Sequence, residues 1–233
     1  MGNPDLPKVL TPALGKPLVS YQLETLRELP ELLAPCVVVG FGADLVKSTL
    51  GGAYTYVLQE ELLGTGHAVA QARAALEGNC DVVLVLYGDQ PLITKESIAK
   101  IVDVFEKTDA SLVLATFISD NPTFTAFGRI LRDEEGNVVG IREHRDCTPQ
   151  EAAIQEYNPA LYCFRSTWLW SALEKITPQN AQAEYYLTDL VQIALQEGVG
   201  LVDVVIDDWQ EFLGVNTPDQ LADVEQVLAA RAS

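Results

Sequence analysis

The chain has 233 residues, of which 48% are hydrophobic, so it can bury a sizeable core in one large domain. It carries 15 Lys and Arg against 33 Asp and Glu, and the net charge of −18 argues against nucleic-acid backbones and anionic membrane surfaces as partners. No apolar run approaches the length of about 20 residues that crosses a bilayer, and the four cysteines form no Cys-x-x-Cys pair. We therefore expect a cytoplasmic protein with neither a nucleic-acid nor a membrane partner.

Short β-branched runs alternate with helical patterns over the first half of the chain. The strand-like runs are continuously apolar, as expected of parallel strands that are buried on both faces. Strands are predicted at 36–39, 54–58, 81–87 and 111–116. Helices are predicted at 17–29, 43–50, 66–76 and 94–105. This alternation predicts an α/β fold with a doubly wound, mostly parallel, Rossmann-like sheet.

The alternation stops after residue 120. A β-hairpin is predicted at 129–132 and 138–142, around the turn Glu134-Glu135-Gly136-Asn137. The elements predicted after it are a strand at 158–164, helices at 166–176 and 186–196, and a strand at 201–206. Thr217-Pro218-Asp219-Gln220 begins a last helix with an N-cap, a first-turn proline and a capping-box glutamine. No linker divides the chain, so we expect a single domain over residues 1–233 with a small β-rich lobe inserted at about 120–165.

A carboxylate follows one of the predicted buried strands. Tyr87-Gly88-Asp89 stands at the end of the strand predicted at 81–87, and open α/β sheets bind ligands outside the carboxyl ends of their strands. Asp89 at that position is suited to hold Mg²⁺ between phosphates. An aspartate that caps a helix or closes a turn fits these residues equally well.

A glycine-rich turn, Leu63-Gly64-Thr65-Gly66-His67, joins a predicted strand to a predicted helix. Its glycines allow a ligand to approach the backbone closely, and its amides would face that ligand at the helix N-terminus. On spacing alone an ordinary turn capped by Thr65 is the simpler interpretation, with His67 in the first turn of the helix rather than in catalysis. Three further candidates have ordinary interpretations as solvated or turn residues: Lys8, Glu143 and Asn216.

Taken together, seven blocks of the sequence resemble one family. The blocks are 6–10 with 15–17, Gln59 with 63–68, 87–92, 127–130, 143–146, 180–189 and 214–216. Their order and spacing resemble the uridylyltransferase domain of the bacterial bifunctional N-acetylglucosamine-1-phosphate uridylyltransferase/glucosamine-1-phosphate acetyltransferase. The resemblance extends from Leu6 to about residue 225. By this resemblance the chain is similar to the sugar-1-phosphate nucleotidyltransferases.

The resemblance implies that a sugar 1-phosphate, with N-acetylglucosamine 1-phosphate favoured, attacks the α-phosphorus of UTP and that pyrophosphate leaves. The attacking oxygen is already ionised, so positioning and charge neutralisation carry catalysis and no general base is required. The resemblance also implies that Lys8 contacts phosphate as the catalytic residue, while Asp89 and Asn216 hold Mg²⁺. The implied nucleotide-binding residues are Gln59, Gly64, Thr65, Tyr87 and Gly88. The implied sugar-binding residues are Gly128, Glu143 and Asn158.

The chain departs from the family pattern in several places. The family begins with a strand and a Leu-Ala-Ala-Gly-x-Gly-Thr-Arg-Met loop, and Met1 aligns with the methionine of that loop. The chain as given is therefore expected to be truncated at its N-terminus, without a central strand and the phosphate-binding loop. We expect either that Met1 is not the natural start or that the chain as given is inactive. Pro159-Ala160 follows Asn158 where the family usually has a small hydroxyl residue and glycine, and Ala183 replaces a usual glycine. The acetyltransferase β-helix domain is missing, so no acetyl transfer is expected.

Other functions fit parts of the same pattern. A glucose-1-phosphate uridylyl- or thymidylyltransferase would share the architecture and most of the blocks. A non-catalytic sugar-nucleotide binding module that starts at Met1 would explain the absent loop. A glycosyltransferase is less favoured, because no Asp-x-Asp follows a core strand at the expected place. The sequence does not indicate the oligomeric state or the pathway.

Overall fold

The structure, a computed structural model, describes residues 6–232. Its α-helices are α1 (Leu18–Arg27), α2 (Ala43–Leu50), α3 (Thr65–Gln71), α4 (Arg73–Leu76), α5 (Lys95–Lys107), α6 (Pro149–Ala152), α7 (Ser166–Leu173), α8 (Asp189–Glu197) and α9 (Pro218–Arg231). Its strands are β1 (Pro12–Ala13), β2 (Lys16–Pro17), β3 (Cys36–Val39), β4 (Thr55–Leu58), β5 (Val82–Val85), β6 (Ala110–Ile118), β7 (Gly128–Arg132), β8 (Val138–Arg142), β9 (Glu156–Asn158), β10 (Tyr162–Arg165) and β11 (Gly200–Val205). Within the described residues, no helix has the length and hydropathy needed to span a membrane.

The main sheet combines strands from both halves of the chain. Its order is β5-β10-β6-β9-β7-β8, and β11 also pairs with β6. The long strand β6 joins the two parts of this sheet. Its first residues lie between β10 and β11, and its last two residues, Phe117 and Ile118, pair with β9. The hairpin predicted from the sequence forms β7 and β8, which pair antiparallel.

The strand pairings correct the prediction of a mostly parallel sheet. β10 runs antiparallel between β5 and β6, and β9 pairs antiparallel with β6 and β7. Parallel pairing occurs between β11 and β6 and between β3 and β4. A continuous apolar run indicates that both faces of a strand are buried, and it does not determine the direction of the strand. Antiparallel β10, for example, is buried at Tyr162, Cys163 and Phe164. The fold is therefore α/β, with a sheet that mixes parallel and antiparallel strands.

Two predicted elements are interrupted. The strand predicted at 158–164 divides into β9 and β10, because Pro159 has no N–H for a ladder hydrogen bond and Ala160 takes a left-handed conformation with φ of 63°. This break lets β9 and β10 pair at different positions along β6. The helix predicted at 66–76 divides into α3 and α4 at Ala72, which has ψ of −8°.

Side chains of β6 alternate between two hydrophobic cores, one on each face of the sheet. Val113 and Ala115 pack in a core with α5 and α9, whereas Leu112 and Leu114 pack in a core with α7 and α8. Helices therefore cover both faces of the main sheet. A third, smaller core surrounds the β3–β4 pair and includes residues of α1 and α2. Among the described residues, β3 and β4 pair only with each other, and β5 pairs only with β10.

Candidate functional site

Lys8, Asp89 and Asn216 are far apart in the sequence and meet at one point of the structure. The Lys8 Nζ atom donates hydrogen bonds to Oδ2 of Asp89 and to Oδ1 of Asn216. The side chains of Lys8 and Asp89 are 34% and 24% exposed, so a ligand can reach them. The residues that the family resemblance assigns to phosphate and metal binding are therefore adjacent, and their roles stay predictions.

Backbone contacts hold the two oxygen donors together. The Val215 N–H donates to the Asp89 carbonyl oxygen at 3.3 Å, which fixes the loop before α9 against the residues that follow β5. Thr217 and Gln220 form the capping box expected from the sequence. Oε1 of Gln220 also accepts a hydrogen bond from the Asn216 N–H at 2.7 Å. The start of α9 thus orients Asn216 towards Asp89.

Close contacts with two glycines position the turn that carries Lys8. A Cβ atom at Gly88 would lie 3.3 Å from Val9 Cγ1, so the missing side chain lets this turn pack on the end of β5. Gly42 has φ of 65°, and a Cβ atom there would lie 2.4 Å from Pro7 Cγ. A larger residue at either glycine would push the turn, and with it Lys8, away from Asp89.

The donor set at this point suits a magnesium ion. A carboxylate and an amide oxygen converge on a cation, the ammonium of Lys8, and Mg²⁺ prefers hard oxygen ligands of this kind. Within residues 6–232, no group of three or more His, Cys, Asp or Glu side chains could hold a metal ion. Magnesium usually takes one or two protein ligands, and substrate phosphates and water complete its coordination shell. Asp89 and Asn216 fit that pattern.

Gln59 lies immediately after β4, where its N–H donates to the Val39 carbonyl oxygen at 2.8 Å. Its side chain is buried, and its Nε2 atom donates to the Gly64 carbonyl oxygen at 3.1 Å and lies 2.9 Å from His67 Nδ1. Because β3 and β4 are parallel, Gln59 stands at the carboxyl end of this strand pair. The structure therefore brings Gln59 together with the glycine-rich turn to which the resemblance assigns the same nucleotide.

The glycine-rich turn hydrogen bonds with the segment that precedes α8. The Tyr185 N–H donates to the Leu63 carbonyl oxygen at 2.7 Å, and the Gly66 N–H donates to the Tyr185 carbonyl oxygen at 2.8 Å. Gly64 has φ of 111°, and a Cβ atom there would lie 2.6 Å from the Tyr185 oxygen, so this contact requires glycine. Since the Gly66 amide is already bonded within the protein, the prediction that the amides of this turn face a ligand is wrong for Gly66.

Thr65 is not the helix cap that its spacing suggests. Helix α3 begins at Thr65 itself, with Gly64 at the N-cap position and no side-chain cap. The Thr65 hydroxyl accepts a hydrogen bond from the Leu187 N–H at 3.0 Å and also bonds with the Tyr87 side chain. Burial raises the pKa of Tyr87 well above its ordinary value, and the hydrogen bond with Thr65 offsets only part of that rise. Thr65 and Tyr87 thus connect the turn to the end of β5, and their contact with a nucleotide stays a prediction.

The residues that the resemblance assigns to sugar binding lie together at one end of the antiparallel strands. Gly128 of β7 is the register partner of Asn158 of β9, and Glu143 directly follows β8, the other neighbour of β7. A Cβ atom at Gly128 would lie 3.0 Å from Ile141 Cγ2, so glycine allows Ile141 to pack closely at this corner. Oδ1 of Asn158 accepts a hydrogen bond from the Ala160 N–H at 3.1 Å. The structure brings these three assigned residues close to one another.

Sequence reasoning gave no role to Thr188, which is a buried neighbour of this group. Its hydroxyl donates to Glu143 Oε1 at 3.0 Å. Burial raises the pKa of Glu143, and this hydrogen bond opposes the rise. A cavity of about 100 Å³ beside them is lined by Asp146, Asn180 and Asp189 among others. Membership in the block at 180–189 is the signal in the sequence that could have pointed to Thr188.

The family described as nucleotidyl transferase matches residues 4–228 of this chain. The chain belongs to that family. It is 41% identical over 224 residues to the protein named bifunctional protein GlmU of a Geobacillus species, covering 96% of this chain and 48% of that protein. It is 43% identical over 227 residues to the bifunctional protein GlmU of Clostridium perfringens, covering 97% of this chain and 49% of that protein. The chain therefore spans about half the length of the curated relatives it matches.

The fold is also similar to that of a solved structure. The crystal structure of a UDP-glucose pyrophosphorylase complexed with UDP-glucose superposes with a TM-score of 0.75 and 14% sequence identity, covering 97% of this chain and 91% of that chain. At this identity the likeness shows the fold alone. The resemblance to sugar-1-phosphate nucleotidyltransferases that the seven blocks indicate is thereby confirmed at the level of family and α/β architecture.

Proposed function

We propose that this chain transfers the uridylyl group of UTP to a sugar 1-phosphate and releases pyrophosphate, with N-acetylglucosamine 1-phosphate as the favoured sugar. The observation that supports this most directly is the convergence of Lys8, Asp89 and Asn216. A cationic side chain beside two hard oxygen ligands matches what a triphosphate and its magnesium ion need. Membership in the nucleotidyl transferase family and the seven sequence blocks support the same reaction.

The proposed chemistry requires positioning and charge neutralisation, because the attacking phosphate oxygen is ionised at neutral pH. The Lys8 ammonium contacts phosphate oxygens and stabilises the negative charge of the transition state. Asp89 and Asn216 hold Mg²⁺, which neutralises phosphate charge when it is bound. With a net charge of −18, the protein has no long-range attraction for a polyanion, so these local cations are essential.

In this proposal the base binds at Gln59, Gly64 and Thr65, with Tyr87 and Gly88 beside them. The side-chain amide oxygen of Gln59 can accept a hydrogen bond from the N–H of uracil. The burial of Gln59 favours this assignment, since a buried amide keeps one orientation.

The sugar binds in the β-rich lobe at about 120–165, in this proposal through Gly128, Glu143 and Asn158. Glu143 and Asn158 provide a carboxylate and an amide for the sugar hydroxyls, and Gly128 lies beside Asn158. The favoured location is the cytoplasm. All four cysteines are free, which is usual in a reducing compartment.

A panel of substrates tests the proposed function. UTP, dTTP, CTP, ATP and GTP are each combined with N-acetylglucosamine 1-phosphate or glucose 1-phosphate, and pyrophosphate release is measured with magnesium present. We expect the highest rate with UTP and N-acetylglucosamine 1-phosphate. A preference for dTTP with glucose 1-phosphate would indicate a glucose-1-phosphate thymidylyltransferase. Binding of UTP without turnover, in this chain and in one extended upstream, would indicate a non-catalytic binding module.

A further inference from the structure

We propose that His67 is a positioning residue for the base: it fixes the side-chain amide of Gln59 so that the amide oxygen faces the nucleotide and selects the N–H at position 3 of uracil. This inference rests on the proposed function, in which Gln59 contacts the base. It gives a role to His67, a residue of the glycine-rich turn to which the family resemblance assigns no function. The role is in specificity and not in the chemical step.

Both hydrogens of the Gln59 amide are used within the protein. Nε2 donates to the Gly64 carbonyl oxygen at 3.1 Å and lies 2.9 Å from His67 Nδ1. A primary amide nitrogen has two hydrogens, so these two acceptors account for both. The amide oxygen Oε1 is then the atom of Gln59 that remains for a ligand.

The opposite orientation of the amide is disfavoured by the same two neighbours. Rotating the amide would place Oε1 next to the Gly64 carbonyl oxygen and next to the lone pair of His67 Nδ1. Gln59 is only 8% exposed, so water cannot readily relieve two such contacts between acceptors. Gly64 and His67 therefore act together to hold a single orientation.

The His67 ring is itself held in place by the helix that carries it. The side-chain amide of Gln71 lies 3.2 Å from the His67 carbonyl oxygen and 3.1 Å from the ring Nε2 atom. On its other side the ring lies 6.4 Å from the ring of Tyr185, measured between centroids. The Gly64 carbonyl oxygen fixes the Gln59 nitrogen beside it, so in this proposal Nδ1 of His67 is the acceptor and the ring carries its proton on Nε2. The half-buried Gln71 amide then turns its oxygen towards that proton.

The orientation of the amide decides which base it accepts. Uracil presents a donor N–H at position 3, whereas cytosine presents an acceptor nitrogen there. An amide oxygen facing position 3 accepts a hydrogen bond from uracil and meets a second acceptor in cytosine. Thymine has the same N–H as uracil, so His67 does not contribute to discrimination between UTP and dTTP.

Two substitutions of nearly equal size test the role of the acceptor. His67→Leu removes the acceptor, and His67→Asn restores a carbonyl oxygen on the branch where Nδ1 stood. Binding of UTP and of CTP is measured by titration calorimetry with magnesium present. We expect His67→Leu to lower the ratio of UTP to CTP affinity about tenfold, the effect of one hydrogen bond, and His67→Asn to recover most of it.

A double-substitution cycle separates positioning from a general structural effect. In a Gln59→Ala background, His67→Leu should no longer change the UTP to CTP ratio, because the amide through which it acts is gone. His144→Leu, at the exposed second histidine of the chain, is the matched control and should leave the ratio unchanged. If His67→Leu does not fold, as judged by its thermal melt, His67→Ala replaces it.

The outcomes distinguish this inference from the proposed function. A wild-type chain that binds UTP and CTP equally would contradict the assignment of the base and hence the proposed function. A wild-type preference for UTP that persists undiminished in His67→Leu would overturn the inference alone. If His67→Leu also lowers the UTP to CTP affinity ratio in the Gln59→Ala background, His67 acts by another route than the Gln59 amide. That result would overturn the inference as well.

Discussion

The ammonium of Lys8 lies between the carboxylate of Asp89 and the amide oxygen of Asn216 and bonds to both. A cation thus occupies the position on which the proposed magnesium ligands converge. Two cations cannot share these oxygens without strong repulsion. Magnesium binding therefore requires Lys8 to move, and the phosphates of a bound nucleotide offer its ammonium new partners.

This relationship predicts the metal affinity of the nucleotide-free protein. Lys8→Gln removes the competing charge, so we expect Mn²⁺, used as a spectroscopic substitute for Mg²⁺, to bind about tenfold more tightly in that variant. Electron paramagnetic resonance of free Mn²⁺ measures the affinity directly. Lys16→Gln is the matched control, because Lys16 is paired with the exposed Glu24. Unchanged or weaker Mn²⁺ binding in Lys8→Gln would contradict the prediction.

A second prediction concerns Asp89 as a metal ligand. Asp89→Asn keeps the size of the side chain and removes its charge, so we expect magnesium-dependent turnover of UTP to fall about 100-fold or more in a chain that is active. The variant should unfold at a temperature close to that of the wild type. Asp81→Asn, which changes an exposed carboxylate just before β5, should retain turnover. A near-wild-type rate in Asp89→Asn would remove this residue from the mechanism.

The sequence predicted local elements well where the pattern of apolar residues decides the structure. Helix α2 and strand β3 have the bounds that the periodicity indicates, at 43–50 and 36–39. The prediction of a mostly parallel sheet was wrong, because burial on both faces does not determine which way a strand runs. The division between β9 and β10 depends on the left-handed backbone of Ala160, which a short apolar run does not reveal.

The candidate site could be predicted only in part. The contacts of Lys8 join residues that are 81 and 208 positions apart, so the family resemblance indicated them and local patterns could not. Thr65 was wrongly expected to cap its helix, because its partner Leu187 lies 122 positions away. The expected central strand upstream of Met1 falls outside the described residues and stays a prediction. Amide hydrogen exchange in β3 and β5, compared between this chain and one extended upstream, would test it.

A third prediction concerns the pH dependence of stability. Burial, followed by the charge of Asp146, raises the pKa of Asp189 to about 6, and Arg142 opposes this. The folded state holds this proton more tightly than the unfolded state, so Asp189 makes the protein less stable as the pH rises from about 4 to about 6.

The variant Asp189→Asn cannot lose that proton. We expect it to gain about 1 kcal/mol over the wild type between pH 4 and pH 7, a value reduced by the partial exposure of the site. Urea unfolding at both pH values measures the difference. Glu143, Asp146 and Arg142 line the same cavity and are the same in both proteins. Asp219→Asn, in the exposed first turn of α9, is the control, and an equal gain there would contradict the assignment to Asp189.

The last prediction concerns Ala183, which stands where the family usually has glycine. Its φ is 53°, a left-handed conformation that costs a residue with a Cβ atom roughly 1–2 kcal/mol. Ala183 is exposed, so removing its methyl group sacrifices little packing. Glycine would relieve the strain, but it would add about 0.5–1 kcal/mol of backbone entropy lost on folding.

We therefore expect Ala183→Gly to stabilise the folded chain by about 0.5–1 kcal/mol. Exposed Ala181 is not among the residues with positive φ, so Ala181→Gly brings the entropy cost without relieving strain and should destabilise the chain. Urea unfolding of both variants measures the contrast, and a destabilised Ala183→Gly would contradict the prediction. Because this segment hydrogen bonds with the glycine-rich turn through Tyr185, the same substitution should also slow amide exchange at Gly66.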